Sequence, residues 1–380
     1  MPPPLPTPST GPGSARPLRG SLRLARLFGI DVYVHVTFLI LVALIATAHA
    51  LAGGGWSAGL ASVLFVVTLF ACVLLHEFGH ALAARHYGIR TSHITLLPIG
   101  GIAHLERLPR HPLQELWVAL AGPLVNLLIA GGLALGLLAS GHAPSLPALN
   151  TTTGPFLERL IAVNLILVAF NLLPAFPMDG GRVLRALLAL RLPFARATRI
   201  AGRLGQAMAV LFGLAALAYN PLLLLVALLV WTGAAQEMRM AEMKQSLDGI
   251  PVREAMLTRF ESLHPADSLD RAIELVLRGW QQDFPVMDGD RLVGVLTRDG
   301  LLEGLRQRGT QGLVGEVMRE DFLHVEEGDL LEHAVFDRKA PEFSLVPVTR
   351  GTRVVGMLTS ENLVEYVAIR AALESRRVPA

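Results

Sequence analysis

Leu74-Leu75-His76-Glu77-Phe78-Gly79-His80 closes the longest uncharged stretch of the chain: from Val32 to His76, 45 positions pass without Asp, Glu, Lys or Arg. A helix needs about 20 apolar residues to cross the hydrocarbon of a bilayer, so the stretch has room for two crossings, divided at Gly53 to Gly55. Composition agrees. Of the 380 residues 52% are hydrophobic and 17% charged, whereas soluble domains carry about 25% charged residues. A disordered protein and an ordinary cytosolic enzyme are both excluded. The single cysteine, Cys72, excludes an intramolecular disulfide and any multi-cysteine metal site. With 33 basic against 31 acidic residues, a net charge of +2, there is no nucleic-acid signature.

Three further uncharged runs follow, Leu116 to Leu157, Leu160 to Met178 and Leu204 to Gln236. By length they predict six spans, at residues 33–52, 59–87, 113–139, 156–173, 198–218 and 221–238. Arginines fall before the first span, between the second and third, between the fourth and fifth (Arg182, Arg185, Arg191) and after the sixth. Positive loops stay cytoplasmic, so a multi-pass cell-membrane protein with both termini in the cytoplasm is expected. Residues 1–20, rich in Pro, Gly and Ser, are expected to be disordered and lack the apolar core of a cleavable signal.

On a helix His76 and His80 are one turn apart and share a face, so two imidazoles can grip one metal ion. Glu77 stands beside them, where it can take a proton from water. Ionisable groups in a spanning helix oppose insertion, by roughly 2.5–3.5 kcal/mol for an acid at the bilayer centre, and are functional by default. A catalytic zinc needs a third protein ligand. Asn171-Leu-Leu-Pro-Ala-Phe-Pro-Met-Asp179-Gly-Gly-Arg182 offers one: Pro174 and Pro177 break the fourth span, Gly180-Gly181 permit a sharp turn, and Asp179 sits on the break.

Together the two motifs resemble the signature of the site-2 protease family, intramembrane zinc metalloproteases, over roughly residues 20–240. The resemblance implies one Zn2+ per chain held by His76, His80 and Asp179, with Glu77 as catalytic acid/base and Asn171 in contact with substrate or the oxyanion. Thr91 to Leu105, two short β segments around Pro98-Ile99-Gly100-Gly101, resembles the family's re-entrant β element, whose edge can pair with an extended substrate. Ala121-Gly122-Pro123-Leu-Val-Asn126 interrupts the third span and adds Asn126 as a second substrate or oxyanion candidate. His35, His93 and His104 read as polar residues at an interface.

After Lys244 the sequence becomes ordinary soluble sequence and repeats itself. Val252-Arg-Glu-Ala-Met256 recurs at Val314 to Met318, Pro285-Val286 at Pro347-Val348, and Gly294 to Thr297 at Gly356 to Thr359, each offset by 62 residues. The order resembles tandem CBS domains, at residues 250–308 and 312–372. The resemblance implies a regulatory or dimerisation module binding an adenine nucleotide, with Thr297, Asp299 and Thr359 as contacts. Gly300 and Asn362 stand where that family's ribose-binding aspartates are found.

The expected architecture is a multi-pass α-helical membrane domain, residues 21–245, with a short re-entrant β element, plus a cytosolic α/β CBS pair. The expected function is hydrolysis of peptide bonds in membrane-spanning substrate proteins, with the lipid bilayer as surroundings and a homodimer formed through the CBS domains. The rival is a CBS-gated transporter or channel. A transporter needs membrane charges strung along a path, and it gives the Asp179 motif no role.

Overall fold

The computed structural model describes residues 18, 20–49, 51, 55–98, 100–105, 109, 111–142, 154–336 and 345–375. Of residues 1–20, expected to be disordered, all but Leu18 and Gly20 lie outside the described residues. The chain divides after Glu242 into two compact units.

The first unit opens with β1 (Ser21–Leu27) and β2 (Ile30–His35), then α1 (Val36–His49) and α2 (Gly55–His86). β3 (Thr91–Leu97) and β4 (Gly100–Leu105) complete one sheet of order β1-β2-β3-β4. β2 and β3 run parallel, Asp31 opposite His93, and the other two pairs are antiparallel. Ile30, Val32 and Val34 alternate inward along β2, and Ile30, Val32 and Ile94 pack on Phe78 and Ala81 of α2. That packing seats the sheet against the turn of α2 that carries His76 and His80. β4 is left as an edge strand.

α3 (Pro112–Ala139), α4 (Phe156–Asn171), α5 (Asp179–Ala189), α6 (Phe194–Ala218) and α7 (Leu222–Leu247) follow. Among the described residues, α3, α6, α7 and the Gly59–His86 part of α2 are long and apolar enough to cross a membrane. Leu128, Leu135, Leu211 and Leu217 are exposed on them, as on helices whose outer faces meet lipid rather than water. α1, with 14 residues, and α4, with 16, are shorter.

Three sequence expectations need correction. The first span does not begin at residue 33, because Tyr33 and Val34 belong to β2, where β-branched and aromatic residues fit a pleated, half-buried surface. Pro123 does not interrupt α3: a proline removes one donor and crowds one carbonyl, which a long, packed helix absorbs. Gly180-Gly181 form no turn but the first turn of α5. A Cβ on Gly180 would lie 2.2 Å from the Leu173 carbonyl oxygen, so glycine here permits close approach to the preceding loop. Arg185, counted between the fourth and fifth spans, is 2% exposed on the inner face of α5, a burial the sequence did not indicate.

In the second unit α8 (Leu269–Arg278), the hairpin β5 (Phe284–Asp288) and β6 (Arg291–Leu296), and α9 (Arg298–Arg308) form the first repeat. β7 (Val325–Glu326), α10 (Leu331–Phe336), β8 (Leu345–Arg350), β9 (Arg353–Thr359) and α11 (Ser360–Ser375) form the second. The opening segments are exchanged. Leu257 bridges to Met357 on β9, and Arg319 bridges to Val295 on β6. Val252 and Ala255 are accordingly buried with Val325, Val346 and Leu358, and Val314 with Leu263, Phe284 and Leu296. Neither core closes without the other repeat.

Burial pushes the Asp283 carboxyl above the ordinary aspartate range, and the Glu361 and Asp299 carboxylates add to it. Its Oδ1 accepts a 2.7 Å bond from the Arg298 N–H, which opposes the shift. With the folded value raised, the side chain favours folding at acid pH, and that contribution fades as pH rises through the raised value. Asp283→Asn, still able to accept from Arg298, should raise hydrogen-exchange protection of the β5–β6 amides at neutral pH. It should also flatten their pH dependence. Lower protection at neutral pH would mean that the ionised carboxylate's bond outweighs its burial.

Candidate metal centre

α2 places His76 and His80 on one face, both buried, and α5 brings Asp179 to them at its N-terminal turn. His80 Nε2 lies 3.1 Å from His76 Nε2 and 3.1 Å from Asp179 Oδ2, and His76 Nε2 lies 3.2 Å from Asp179 Oδ2. Among the described residues this is the one group of three or more His, Cys, Asp or Glu side chains with converging ligand atoms. Ligands 2.0–2.2 Å from a tetrahedral zinc sit roughly 3.3–3.5 Å from one another, close to this triangle.

The outer contacts of the imidazoles decide what the triangle is for. His80 Nδ1 donates to the Val118 carbonyl at 2.7 Å, and His76 Nδ1 donates to Asn126 Oδ1 at 3.0 Å. A neutral imidazole carries one proton, so both Nε2 atoms present lone pairs. Two lone pairs and a carboxylate then face one another inside the protein, an arrangement that a cation makes favourable. Gly122 of α3 completes the cradle: a Cβ there would lie 2.2 Å from His80 Nε2 and 2.7 Å from His76 Nε2. The residues present fit a zinc ion.

Glu77, half-buried on the next position of α2, interacts electrostatically with His80, His76, Asp179 and Arg182. Its side chain lies against the edge strand: a Cβ on Gly101 of β4 would come within 2.5 Å of Glu77 Cγ and 3.2 Å of Oε1. Glu77 therefore lies beside the ligand triangle and against β4, which among the described residues is an edge strand of the sheet.

The remaining sequence candidates divide. Asn126 is 1% exposed with its oxygen on His76, leaving Nδ2, which has no partner among the described residues, as its free donor. Asn171 ends α4, half-buried, eight positions before Asp179. His93 and His104 stack across the β3–β4 pair with ring centroids 4.2 Å apart. His35 Nδ1 lies 2.7 Å from the Thr37 hydroxyl oxygen. In the CBS pair Thr297 Oγ1 accepts from the Gly300 N–H and Thr359 Oγ1 from the Asn362 N–H, each at the start of a helix, and Asp299 lies in the first turn of α9. The reading from sequence quoted Gly122 and Gly101 within motifs without giving either a role at the centre, and it missed the Val118 carbonyl. A Gly-Pro pair inside a spanning helix was the available signal for the first.

The family model for peptidase family M50 matches residues 64–153 and 142–212, and that for the CBS domain matches residues 252–307 and 314–369. The chain is 32% identical over 352 residues to zinc metalloprotease MJ0392 of Methanocaldococcus jannaschii, covering 92% of this chain and 96% of that one. It is 32% identical over 136 residues to stage IV sporulation protein FB of Bacillus subtilis, covering 36% of this chain and 44% of that one. Among solved structures, the site-2 protease from Methanocaldococcus jannaschii aligns at 37% identity and a TM-score of 0.43, covering 58% of this chain and 95% of that one. The rival reading as a transporter finds no support in these matches. A buried two-histidine, one-aspartate triangle built for a cation, in a chain matching a zinc metalloprotease along nearly its whole length, leads to one assignment: the chain belongs to peptidase family M50, the site-2 proteases, as a zinc metalloprotease with tandem CBS domains.

Proposed function

We propose that His76, His80 and Asp179 hold the zinc ion, that Glu77 is the acid/base, and that the enzyme cuts membrane-spanning proteins in an extended stretch laid along β4. The observation that carries this reading is the triangle of three acceptor atoms with Glu77 beside it and against the edge strand β4. Bound zinc supplies a Lewis acid that polarises the scissile carbonyl and acidifies the attacking water. His76 and His80 keep their lone pairs aimed because Asn126 and Val118 hold their Nδ1 protons. Glu77 takes the proton from water and delivers it to the leaving amine nitrogen. Asn126 Nδ2 and the Asn171 amide are donors available to the developing oxyanion. In a helical substrate each carbonyl is already bonded, so β4 serves to hold the segment extended while its backbone groups pair with the strand.

In this reading α1 and α4 complete six spans with the four longer helices, the β3–β4 hairpin re-enters the membrane, and both termini are cytoplasmic. The CBS pair is its regulatory module and joins two chains as a homodimer. An adenine nucleotide is its ligand class, with Thr297, Asp299 and Thr359 at the helix starts that would meet it.

The test of the centre is metal analysis and substrate cleavage with the full chain. Asp179→Ala should lose zinc and cleavage together, because two imidazoles alone leave the site one protein ligand short. Full zinc occupancy in that variant would remove Asp179 from the ligand set.

A further inference from the structure

Arg185 lies two turns along α5 from Asp179 and is buried to 2% exposure. Its Nε donates to Glu115 Oε1 at 2.8 Å, and its Nη2 donates to the same oxygen. Nη1 donates to Glu237 Oε2 at 2.8 Å. The guanidinium stacks over Phe176 and Phe194, 4.9 Å from each ring centroid. One side chain thus joins α5 to α3 and α7, and presses on the loop that delivers Asp179. Glu115 and Glu237 supply two carboxylates for one buried guanidinium, a costly arrangement that hydrophobic packing would replace if holding the helices together were its whole purpose.

α3 is the helix whose Val118 and Asn126 orient both imidazoles and whose Gly122 floors the cradle. The bond from Arg185 to Glu115 therefore ties the helix bearing the carboxylate to the helix that sets the histidines. We propose that Arg185 is a positioning residue for the metal centre: through Glu115 and Glu237 it fixes the N-terminus of α5, and so Asp179 Oδ2, at coordinating distance from His76 and His80. The planar fork is what the task requires, since Nε and Nη2 meet one carboxylate while Nη1 reaches another. A lysine ammonium keeps the charge but not that geometry. The inference rests on Asp179 being a zinc ligand.

The test uses the full chain in detergent, loaded with zinc or with cobalt(II), which reports ligand geometry through its visible absorption. Arg185→Lys should bind zinc about tenfold more weakly in chelator competition, at the lower end of what disturbing an outer-shell partner costs. Its cobalt bands should shift in position and intensity, and kcat should fall while KM stays within twofold. A merely structural role would lower thermal stability and leave the cobalt spectrum of the folded protein unchanged. Zinc affinity within twofold of the parent and an unaltered spectrum would overturn the proposal. If Arg185→Lys yields no folded protein, Glu115→Gln, which keeps the volume and one acceptor oxygen, decides by the same two readings. Asp179→Ala run alongside separates the failures. Zinc retained there refutes the ligand assignment, and zinc lost there but undisturbed in Arg185→Lys refutes the positioning role alone.

Discussion

Alanine at Gly122 should leave the protein folded and without zinc. The methyl group would stand 2.2 Å from His80 Nε2, 2.5 Å from His80 Cε1 and 2.7 Å from His76 Nε2, inside the space a coordinated ion occupies. The rings cannot swing clear cheaply, since doing so breaks the bonds from His80 Nδ1 to Val118 and from His76 Nδ1 to Asn126. α3 cannot retreat either without opening its contact with α2, where Gly79 already lies so close that a Cβ would be 2.7 Å from the Ala121 oxygen. Overpacking commonly costs 1–3 kcal/mol of stability, tolerable for a long helix held along its length. The loss at the centre is larger, beyond the roughly 10–100-fold that removal of an outer hydrogen bond costs in metal affinity. Plasma emission should find zinc at background in Gly122→Ala and at one per chain in Gly131→Ala, a change on the same helix with nothing within 4 Å of the new methyl. Stoichiometric zinc in Gly122→Ala would mean that the ion lies elsewhere.

The parts of this centre differed in how far they could be read from sequence, and the difference is one of range. His76, Glu77 and His80 are legible because helix geometry alone puts residues four apart on one face. Asp179 is legible because prolines and glycines at membrane depth need a reason. Gly122 and Gly101 were not, since what they make room for belongs to other elements, and nothing local to a glycine says which side chain will fill its missing Cβ. The burial of Arg185 was not legible for a related reason. Counting positive charges treats each arginine as a marker of the cytoplasmic side, and its partners Glu115 and Glu237 are 70 and 52 positions away. β1 carried only a broken signal: Leu22 and Leu24 alternate with Arg23, but Arg26 then falls on the leucine parity and Leu27 on the arginine parity. The flanking arginines invited reading as topology instead. The exchange of opening segments in the CBS pair had no sequence signal, because two repeats at one fixed offset read identically whether each core closes on itself or on its neighbour.

Glutamine at Glu77 separates holding the ion from using it. The side chain keeps its length and its place against Gly101, and none of the three ligand atoms changes, so the zinc content should stay at one per chain. What disappears is the carboxylate, the one group beside the centre that can accept a proton and give it back. Arg182, the ionisable neighbour of Glu77 outside the three ligands, is a cation and cannot accept one. General acid–base catalysis by a placed side chain is worth about 10²–10⁴ in rate. That corresponds to roughly 3–5 kcal/mol of barrier at 1.36 kcal/mol per tenfold. Cleavage of a membrane-spanning substrate by Glu77→Gln should therefore fall by that factor in kcat. KM should change little, because the β4 edge proposed to receive the substrate is left intact. Three results would each mean something different. Rate lost with zinc retained is the acid/base role. Rate and zinc lost together would make Glu77 a ligand and require the triangle to be redrawn. Rate retained would require another base, since the three ligand side chains are occupied in holding the ion.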